Sequence, residues 1–138
     1  MNIENTQSQM RKGVLEFCIL SIIQRAEAYP SDIIEEMKKS ELHILEGTLY
    51  PLLTRLKNAD LLSYRWVESL SGPPRKYFRL TEKGLLFYRE LEATWRQLAD
   101  AVDQITAKTP PEADTTPTET RTEEVRSEES ANINITEP

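Results

Sequence analysis

The stretch L-L-S-Y-R-W-V-E-S-L-S-G-P-P-R-K-Y-F-R-L-T, residues 61–81, decides the fold of this 138-residue chain. Its two ends are short runs of apolar and aromatic residues, and its middle contains Gly72, Pro73 and Pro74. This pattern predicts two short strands joined by a tip that contains the glycine and both prolines, since prolines at a tip or an edge cause no loss of ladder hydrogen bonds. Thr81 suits the N-cap of a following helix. We therefore predict a β-hairpin with a stiff, basic tip.

Three helices are predicted before the hairpin, after a flexible N-terminus over residues 1–9. The first helix covers residues 10–28 and is apolar on most sides, so either the core or a second subunit must cover it. The second follows Pro30 and runs from Ser31 to Lys39. The third presents small, polar and cationic side chains on one side, and its leucines recur at helical spacing on the other. These leucines are Leu49, Leu52, Leu53 and Leu56.

One long helix is predicted after the hairpin, over residues 82–107, before T-P-P ends it. Apolar residues recur along it at alternating spacings of three and four, which is the a/d pattern of a coiled-coil seam. The residues are Tyr88, Leu91, Trp95, Leu98, Val102 and Ile105. A long helix with such a seam, next to a small body, predicts packing against a second copy of the chain.

The net charge of −6 is concentrated in the last thirty residues. Residues 10–108 carry 15 Lys and Arg against 14 Asp and Glu, whereas residues 109–138 carry 2 against 8. The segment 108–138 is rich in Thr, Glu and Pro, and it has too few large apolar groups to offset the entropy of ordering. We predict a disordered acidic tail, which either solubilises the protein or competes with an anionic partner for a basic surface.

Catalysis is not expected from this composition. His43 is the only histidine, Cys18 lies in an apolar run, and the four glycines are isolated, so no metal site, Cys/His pair or phosphate loop is indicated. No cofactor is predicted. The N-terminus lacks the features of a signal peptide, and no apolar run reaches the ~18–20 residues of a membrane span. These features predict a cytoplasmic protein that is not an enzyme and has no membrane partner.

The order of elements is that of a winged helix-turn-helix: a mainly α fold with a small β-hairpin. Residues 10–81 would form the DNA-binding domain, and residues 82–107 a C-terminal dimerisation helix. In this architecture the third helix enters the major groove of DNA and the hairpin, or wing, contacts the backbone. Arg75, Lys76 and Arg79 would supply the cations that phosphates require.

Two segments carry a more specific resemblance. E-G-T-L-Y-P-L-L-T-R-L-K-N-A-D-L-L (46–62) and G-P-P-R-K-Y-F-R-L-T-E-K-G (72–84) resemble the signature of PadR-family transcriptional regulators, and the likeness extends over residues 10–106. It implies a homodimer of the small subfamily that binds double-stranded operator DNA, usually as a repressor. The implied recognition-helix contacts are Gly47, Thr48, Tyr50, Pro51 and Arg55, and the implied wing contacts are Pro74, Arg75, Lys76 and Tyr77.

Two parts of the chain depart from the family pattern. The second helix begins with Tyr29-Pro30-Ser31 where the family often has Tyr-Gly-Tyr, and the acidic tail has no counterpart.

Several alternatives stay open at this level. Trp95 either packs a dimer core or, as the resemblance implies, binds a small planar aromatic effector between subunits. Tyr50 either contacts DNA or packs the junction of helix and wing, whereas Tyr64 and Trp66 are predicted to pack within the strand more than to stack on bases. The competing function is a winged helix that docks a protein and does not bind DNA. The operator, the effector and the regulated genes are not encoded in these patterns.

Overall fold

The computed structural model describes residues 1–108, and the predicted disorder of residues 109–138 lies outside them. The chain divides into two units, residues 1–96 and residues 97–138. The described part is mainly α-helical with one small antiparallel hairpin, as predicted. In chain order its elements are α1 (Ile3–Lys12), α2 (Leu15–Arg25), α3 (Pro30–Lys39), α4 (Glu46–Asn58), β1 (Leu62–Ser69), β2 (Gly72–Leu80) and α5 (Glu82–Thr106).

The N-terminal region differs from its prediction. Residues predicted to be flexible form helix α1, which begins because the side-chain oxygen of Asn2 accepts the Glu4 backbone N–H at 2.8 Å. The single helix predicted over residues 10–28 is two helices separated at Gly13 and Val14. The second of them, α2, ends at Arg25 and not at residue 28, because the chain beyond it is extended and pairs with the hairpin.

Two helices end in the same motif, in which one residue adopts a left-handed conformation. Asp60 has φ 64° after α4, and the Leu61 N–H donates to the Leu56 carbonyl at 3.0 Å. Glu41 has φ 61° after α3, and the Leu42 N–H donates to the Met37 carbonyl at 3.0 Å. Such Schellman turns satisfy the last helical carbonyls. The turn at Asp60 carries the chain directly from α4 into the hairpin.

The turn of the hairpin lies before the glycine and prolines that were predicted to form its tip. Ser69 pairs with Gly72, so the turn residues are Leu70 and Ser71, and both prolines belong to β2. Between Gly72 and Arg75 the strand β2 has two residues, Pro73 and Pro74, whereas β1 has only Glu68 between Ser69 and Val67. This is a β-bulge, one of the few places in a sheet where proline, which has no N–H, is tolerated.

The outer edge of β2 is also paired. The Ala28 N–H donates to the Phe78 carbonyl at 2.9 Å, and the Phe78 N–H donates to the Ala28 carbonyl at 2.8 Å. Ala28 and Phe78 are both buried. The loop between α2 and α3 therefore anchors the base of the hairpin to the helical body.

The core lies between the helices and the inner face of the hairpin. Three leucines of α4 are buried as predicted, while Leu52 is only half-buried. Cys18 is half-buried beside this core, and burial raises the pKa of its thiol. The largest fully buried side chains are Ile19, Leu20, Ile33, Leu49 and Leu53.

Thr81 joins the hairpin to α5, as predicted. Its hydroxyl donates to the Asp60 carbonyl at 2.6 Å and accepts the Gly84 N–H at 2.9 Å. Its own N–H donates to the Leu61 carbonyl at 3.1 Å. One side chain thus caps α5 and holds the turn that follows α4.

We expect Thr81→Val to lower the free energy of unfolding by about 1–2 kcal/mol, because it removes a helix cap and leaves the Asp60 carbonyl without its donor. Urea denaturation measures this change. Thr81→Ser, which keeps the hydroxyl, is the control and should retain most of the stability. Equal losses in the two variants would contradict the assigned role of the hydroxyl.

Candidate nucleic-acid interface

The outward surface of α4 carries all five residues implied to be recognition-helix contacts. Gly47, Thr48, Tyr50, Pro51 and Arg55 are exposed, whereas Leu49, Leu53 and Leu56 on the opposite side are buried. At Gly47 a Cβ atom would have no neighbour within 4 Å, so the backbone there is open to close approach. The helix therefore offers a polar surface supported by a packed apolar one.

Arg55 has a partner that the sequence did not reveal. Its Nε donates to the Glu16 carboxylate at 2.8 Å, and its Nη2 contacts the same oxygen. Glu16 lies on α2, far away in the sequence, so no local pattern could have predicted the pair. The Arg55 side chain remains 68% exposed. An exposed ion pair contributes only about 0–1 kcal/mol to stability. Exchanging Glu16 for a phosphate as the partner of Arg55 would therefore cost little free energy.

One face of the hairpin carries a stack of cations and tyrosines. The Arg75 guanidinium lies 4.0 Å from the centre of the Tyr29 ring, and the Tyr29 and Tyr77 rings are stacked at 4.4 Å. The Arg65 guanidinium lies 5.0 Å from the centre of the Tyr77 ring and forms an ion pair with Glu27 at 3.0 Å. Tyr77, implied to contact DNA, is half-buried inside this stack. The stack ties Arg75 to the loop before α3.

The opposite face of the hairpin is also aromatic. Lys76 lies 4.5 Å from the Tyr64 ring centre and 5.5 Å from that of Trp66. Tyr64 packs against Phe78 with ring centres 5.5 Å apart, which agrees with its predicted packing role. Trp66 contacts Tyr64 edge-on within the strand and remains 60% exposed.

The hairpin, α4 and the start of α3 enclose an open cleft of about 340 Å³. Four of the implied site residues, Tyr50, Pro74, Arg75 and Lys76, line it together. The other lining residues are Tyr29, Pro30, Ser31, Leu53, Thr54, Trp66 and Phe78. Gly47, Thr48, Pro51, Arg55 and Tyr77 do not line it. The structure thus brings Tyr50 of α4 and the basic part of β2 to one cleft.

Neither wing cation has a carboxylate partner in the described part of the chain. The ion pairs found there involve Arg25, Arg55, Arg65 and Arg96, and none involves Arg75 or Lys76. Both cations are instead held against aromatic rings, which limits their conformational freedom without neutralising them. Their positive charge is therefore available to an anion.

The apolar seam of α5 is buried near the start of the helix and exposed towards its end. Tyr88 is buried, its hydroxyl lies 3.3 Å from that of Ser21, and its ring stacks on Phe17 at 5.7 Å. Trp95 contacts Phe17 at 6.4 Å and is 42% exposed, and Leu91 is half-buried. The remaining seam residues, Leu98, Val102 and Ile105, are exposed.

Within residues 1–108 no group of three or more His, Cys, Asp or Glu side chains could hold a metal ion. No helix in that range is both long and apolar enough to cross a lipid bilayer.

Helices α2 to α4, the hairpin after them and the bridge at Ala28 define a winged helix-turn-helix protein. The chain belongs to the PadR-like family of transcriptional regulators, because the sequence profile of that family matches residues 19–90.

Several solved structures are similar to this chain. A PadR-like transcription factor from Bacteroides fragilis is 59% identical, with a TM-score of 0.63, and the match covers 73% of this chain and 98% of that one. A PadR family transcriptional regulator from Eggerthella lenta is 34% identical, with a TM-score of 0.70, and the match covers 78% of this chain and 94% of that one. A PadR-like transcriptional regulator from Bacillus cereus is 35% identical, with a TM-score of 0.65, and the match covers 73% of this chain and 99% of that one.

Proposed function

We propose that the protein is a dimeric, cytoplasmic repressor that binds operator DNA and is released by a small-molecule signal. The observation that supports this proposal is the shared cleft, in which Tyr50 of α4 lies beside two cations that have no carboxylate partner among the described residues. Its action is binding and not catalysis.

In this proposal α4 enters the major groove and the hairpin follows the adjacent backbone. Thr48, Tyr50 and Arg55 would contact base edges or phosphates, while Gly47 and Pro51 would allow close approach. Arg75 and Lys76 would pair with phosphates, and Pro74 would stiffen the strand that carries them. Such phosphate contacts set the position and affinity of the protein, whereas base contacts set its sequence preference.

The dimer is proposed from the exposed seam of α5. Leu98, Val102 and Ile105 are exposed apolar residues at heptad spacing, and exposure of such a row to water is unfavourable unless a partner covers it. Two copies related by a two-fold axis would present two α4 helices to two half-sites. Trp95, partly exposed on the same seam, is the proposed contact of a planar aromatic effector between the subunits.

We expect L98K/V102K to shift the protein from dimer to monomer in sedimentation velocity, because two cations per subunit would face each other across the seam. The affinity for a duplex with two half-sites should fall as the dimer is lost. The matched control is A93K/Q104K, which adds the same charges to exposed positions away from the seam. A dimer that survives L98K/V102K would contradict the seam as the dimer interface.

The DNA-binding proposal is tested by gel shift with a duplex from the region upstream of the protein's own reading frame. We expect a retarded complex that resists an excess of non-specific competitor DNA. If no duplex is shifted, the exposed surface of α4 and the hairpin would instead serve a protein partner.

A further inference from the structure

The ion pair between Glu16 and Arg55 uses only one edge of the arginine. The Arg55 Nε donates to the Glu16 Oε2 at 2.8 Å, and Nη2 donates to the same oxygen. A guanidinium carries five N–H donors in a planar fork, so the terminal edge, formed by Nη1 and the second N–H of Nη2, is not used by Glu16. Nη1 forms no hydrogen bond within residues 1–108. The end of the Arg55 side chain is therefore free to bind another group.

Both partners of this ion pair are fixed to the core through their neighbours in the chain. Glu16 lies in the first turn of α2, between Leu15, which is buried, and Phe17, which packs against α5. Arg55 precedes Leu56, which is also buried. Because neither backbone can shift without disturbing the core, the carboxylate limits the directions in which the guanidinium can extend. An arginine that is ordered before binding loses less conformational entropy when it binds.

Arg55 lies on the same side of α4 as two other implied contacts. Thr48, Pro51 and Arg55 are separated by three and four positions, which places them in one row along the helix, and all three are exposed. If α4 enters the major groove, such a row lies against the base edges. Guanine offers two adjacent acceptors there, N7 and O6, and the terminal edge of a guanidinium matches both.

We propose that Glu16 is a positioning residue for sequence recognition, which holds Arg55 so that its free edge binds a guanine. The proposal rests on the function proposed above, because it assigns a role within DNA binding. It does not require Glu16 to be exchanged for a phosphate, since the guanine uses the N–H groups that Glu16 leaves free.

Glu16 would also lower the affinity for unrelated DNA. Non-specific binding comes from the pairing of cations with phosphates. The Glu16 carboxylate neutralises Arg55 and so weakens its attraction for any phosphate, whereas the free N–H groups can still bind an uncharged base edge. Both effects increase the difference in affinity between the correct sequence and all others.

The test begins with selection of the preferred sequence by the full chain from a library of random duplexes. Duplexes that carry each alternative base pair, one position at a time, then give the preference at every position by fluorescence anisotropy. We expect a G·C pair in each half-site at which the parent discriminates by at least about tenfold. Glu16→Ala and Arg55→Lys should each reduce that discrimination to about threefold or less and leave the other positions unchanged.

Glu36→Ala is the matched control, because it removes an acid whose ion pair, with Arg25, does not involve α4. It should keep the parent's preference at every position. Glu16→Gln retains an acceptor oxygen and should keep an intermediate preference. A purely structural loss would lower the affinity of Glu16→Ala for all duplexes, whereas we expect its affinity for a scrambled duplex to equal or exceed that of the parent. E16A/R55K should discriminate as R55K does, because Glu16 acts only through Arg55.

The role of Glu16 is refuted if Glu16→Ala keeps the parent's preference, even where its affinity for all duplexes rises, because Glu16 would then only compete with phosphates. It is also refuted if the affected pair is not G·C, or if E16A/R55K loses discrimination beyond that lost by R55K. In these cases specific binding by the parent leaves the proposed function standing. If the parent selects no sequence, the proposed function fails and the role of Glu16 fails with it.

Discussion

R75A/K76A is expected to weaken binding to every DNA duplex, on the order of a hundredfold at 0.2 M salt. Each phosphate contact contributes about 0.9 to the slope of log K against log salt, so the loss of two contacts in each subunit of a dimer should lower that slope by about 3.6. Fluorescence anisotropy of a labelled duplex over a series of salt concentrations measures both quantities. Because phosphate contacts do not read sequence, the preference between duplexes should change little.

The matched control for this experiment is K83A/R89A, which removes two exposed cations from α5 and should leave the slope unchanged. Urea denaturation of both variants separates loss of binding from loss of folding, because Lys76 also packs on Tyr64 and Trp66. A folded R75A/K76A protein with the parent's affinity and salt slope would contradict the assignment of the hairpin as a DNA-contacting wing.

Gly84→Ala is expected to cost about 3 kcal/mol or more in the free energy of unfolding, one of the largest effects available to a single methyl group. A Cβ atom at this position would lie 2.0 Å from the Leu61 carbonyl oxygen and 2.9 Å from its carbon. That carbonyl cannot retreat easily, because it accepts the Thr81 N–H at 3.1 Å. The N-terminus of α5 would have to move away from the turn that follows α4.

Gly13→Ala is the control for this substitution. Gly13 has φ −67° and ψ −18°, which any residue adopts, and its Cβ would lie 3.9 Å from the nearest atom. This change should be neutral or raise stability by up to about 1 kcal/mol. If Gly84→Ala unfolded at the same urea concentration as the parent, the close approach of α5 to Leu61 would be wrong.

Features of the fold that depend on local sequence pattern could be predicted. The leucine spacing of α4 predicted its buried side, the turn chemistry around Pro30 predicted the start of α3, and Thr81 was identified as the cap of α5. The motif resemblance implied DNA contacts on α4 and on the hairpin, and four of those residues, Tyr50, Pro74, Arg75 and Lys76, line one cleft.

Features set by contacts between distant segments could not be predicted. The first predicted helix was too long at its C-terminal end because Ala28 pairs with Phe78, and this pairing draws the chain out of helical geometry. Glu16 and Arg55 are separated by 39 positions, and the sequence gives no signal for their ion pair. The stack of Tyr29 on Tyr77 likewise joins a loop to a strand.

The predicted position of the two prolines in the hairpin was wrong. Prolines near a hairpin turn can occupy the tip, an edge or a bulge, and the tip was predicted. The register puts Pro73 and Pro74 in a bulge opposite Glu68. The basic residues therefore follow this bulge directly, and Arg75 and Lys76 each lie against an aromatic partner of their own.

The central claim is that this chain recognises a DNA sequence, and the most direct test is a ratio of two dissociation constants. One is measured for a duplex from the protein's own upstream region, the other for a scrambled duplex of the same length and composition, both at physiological salt. We predict a ratio of at least about 10³, the lower end for specific DNA-binding proteins. A ratio near one, or no binding to either duplex, would contradict the account.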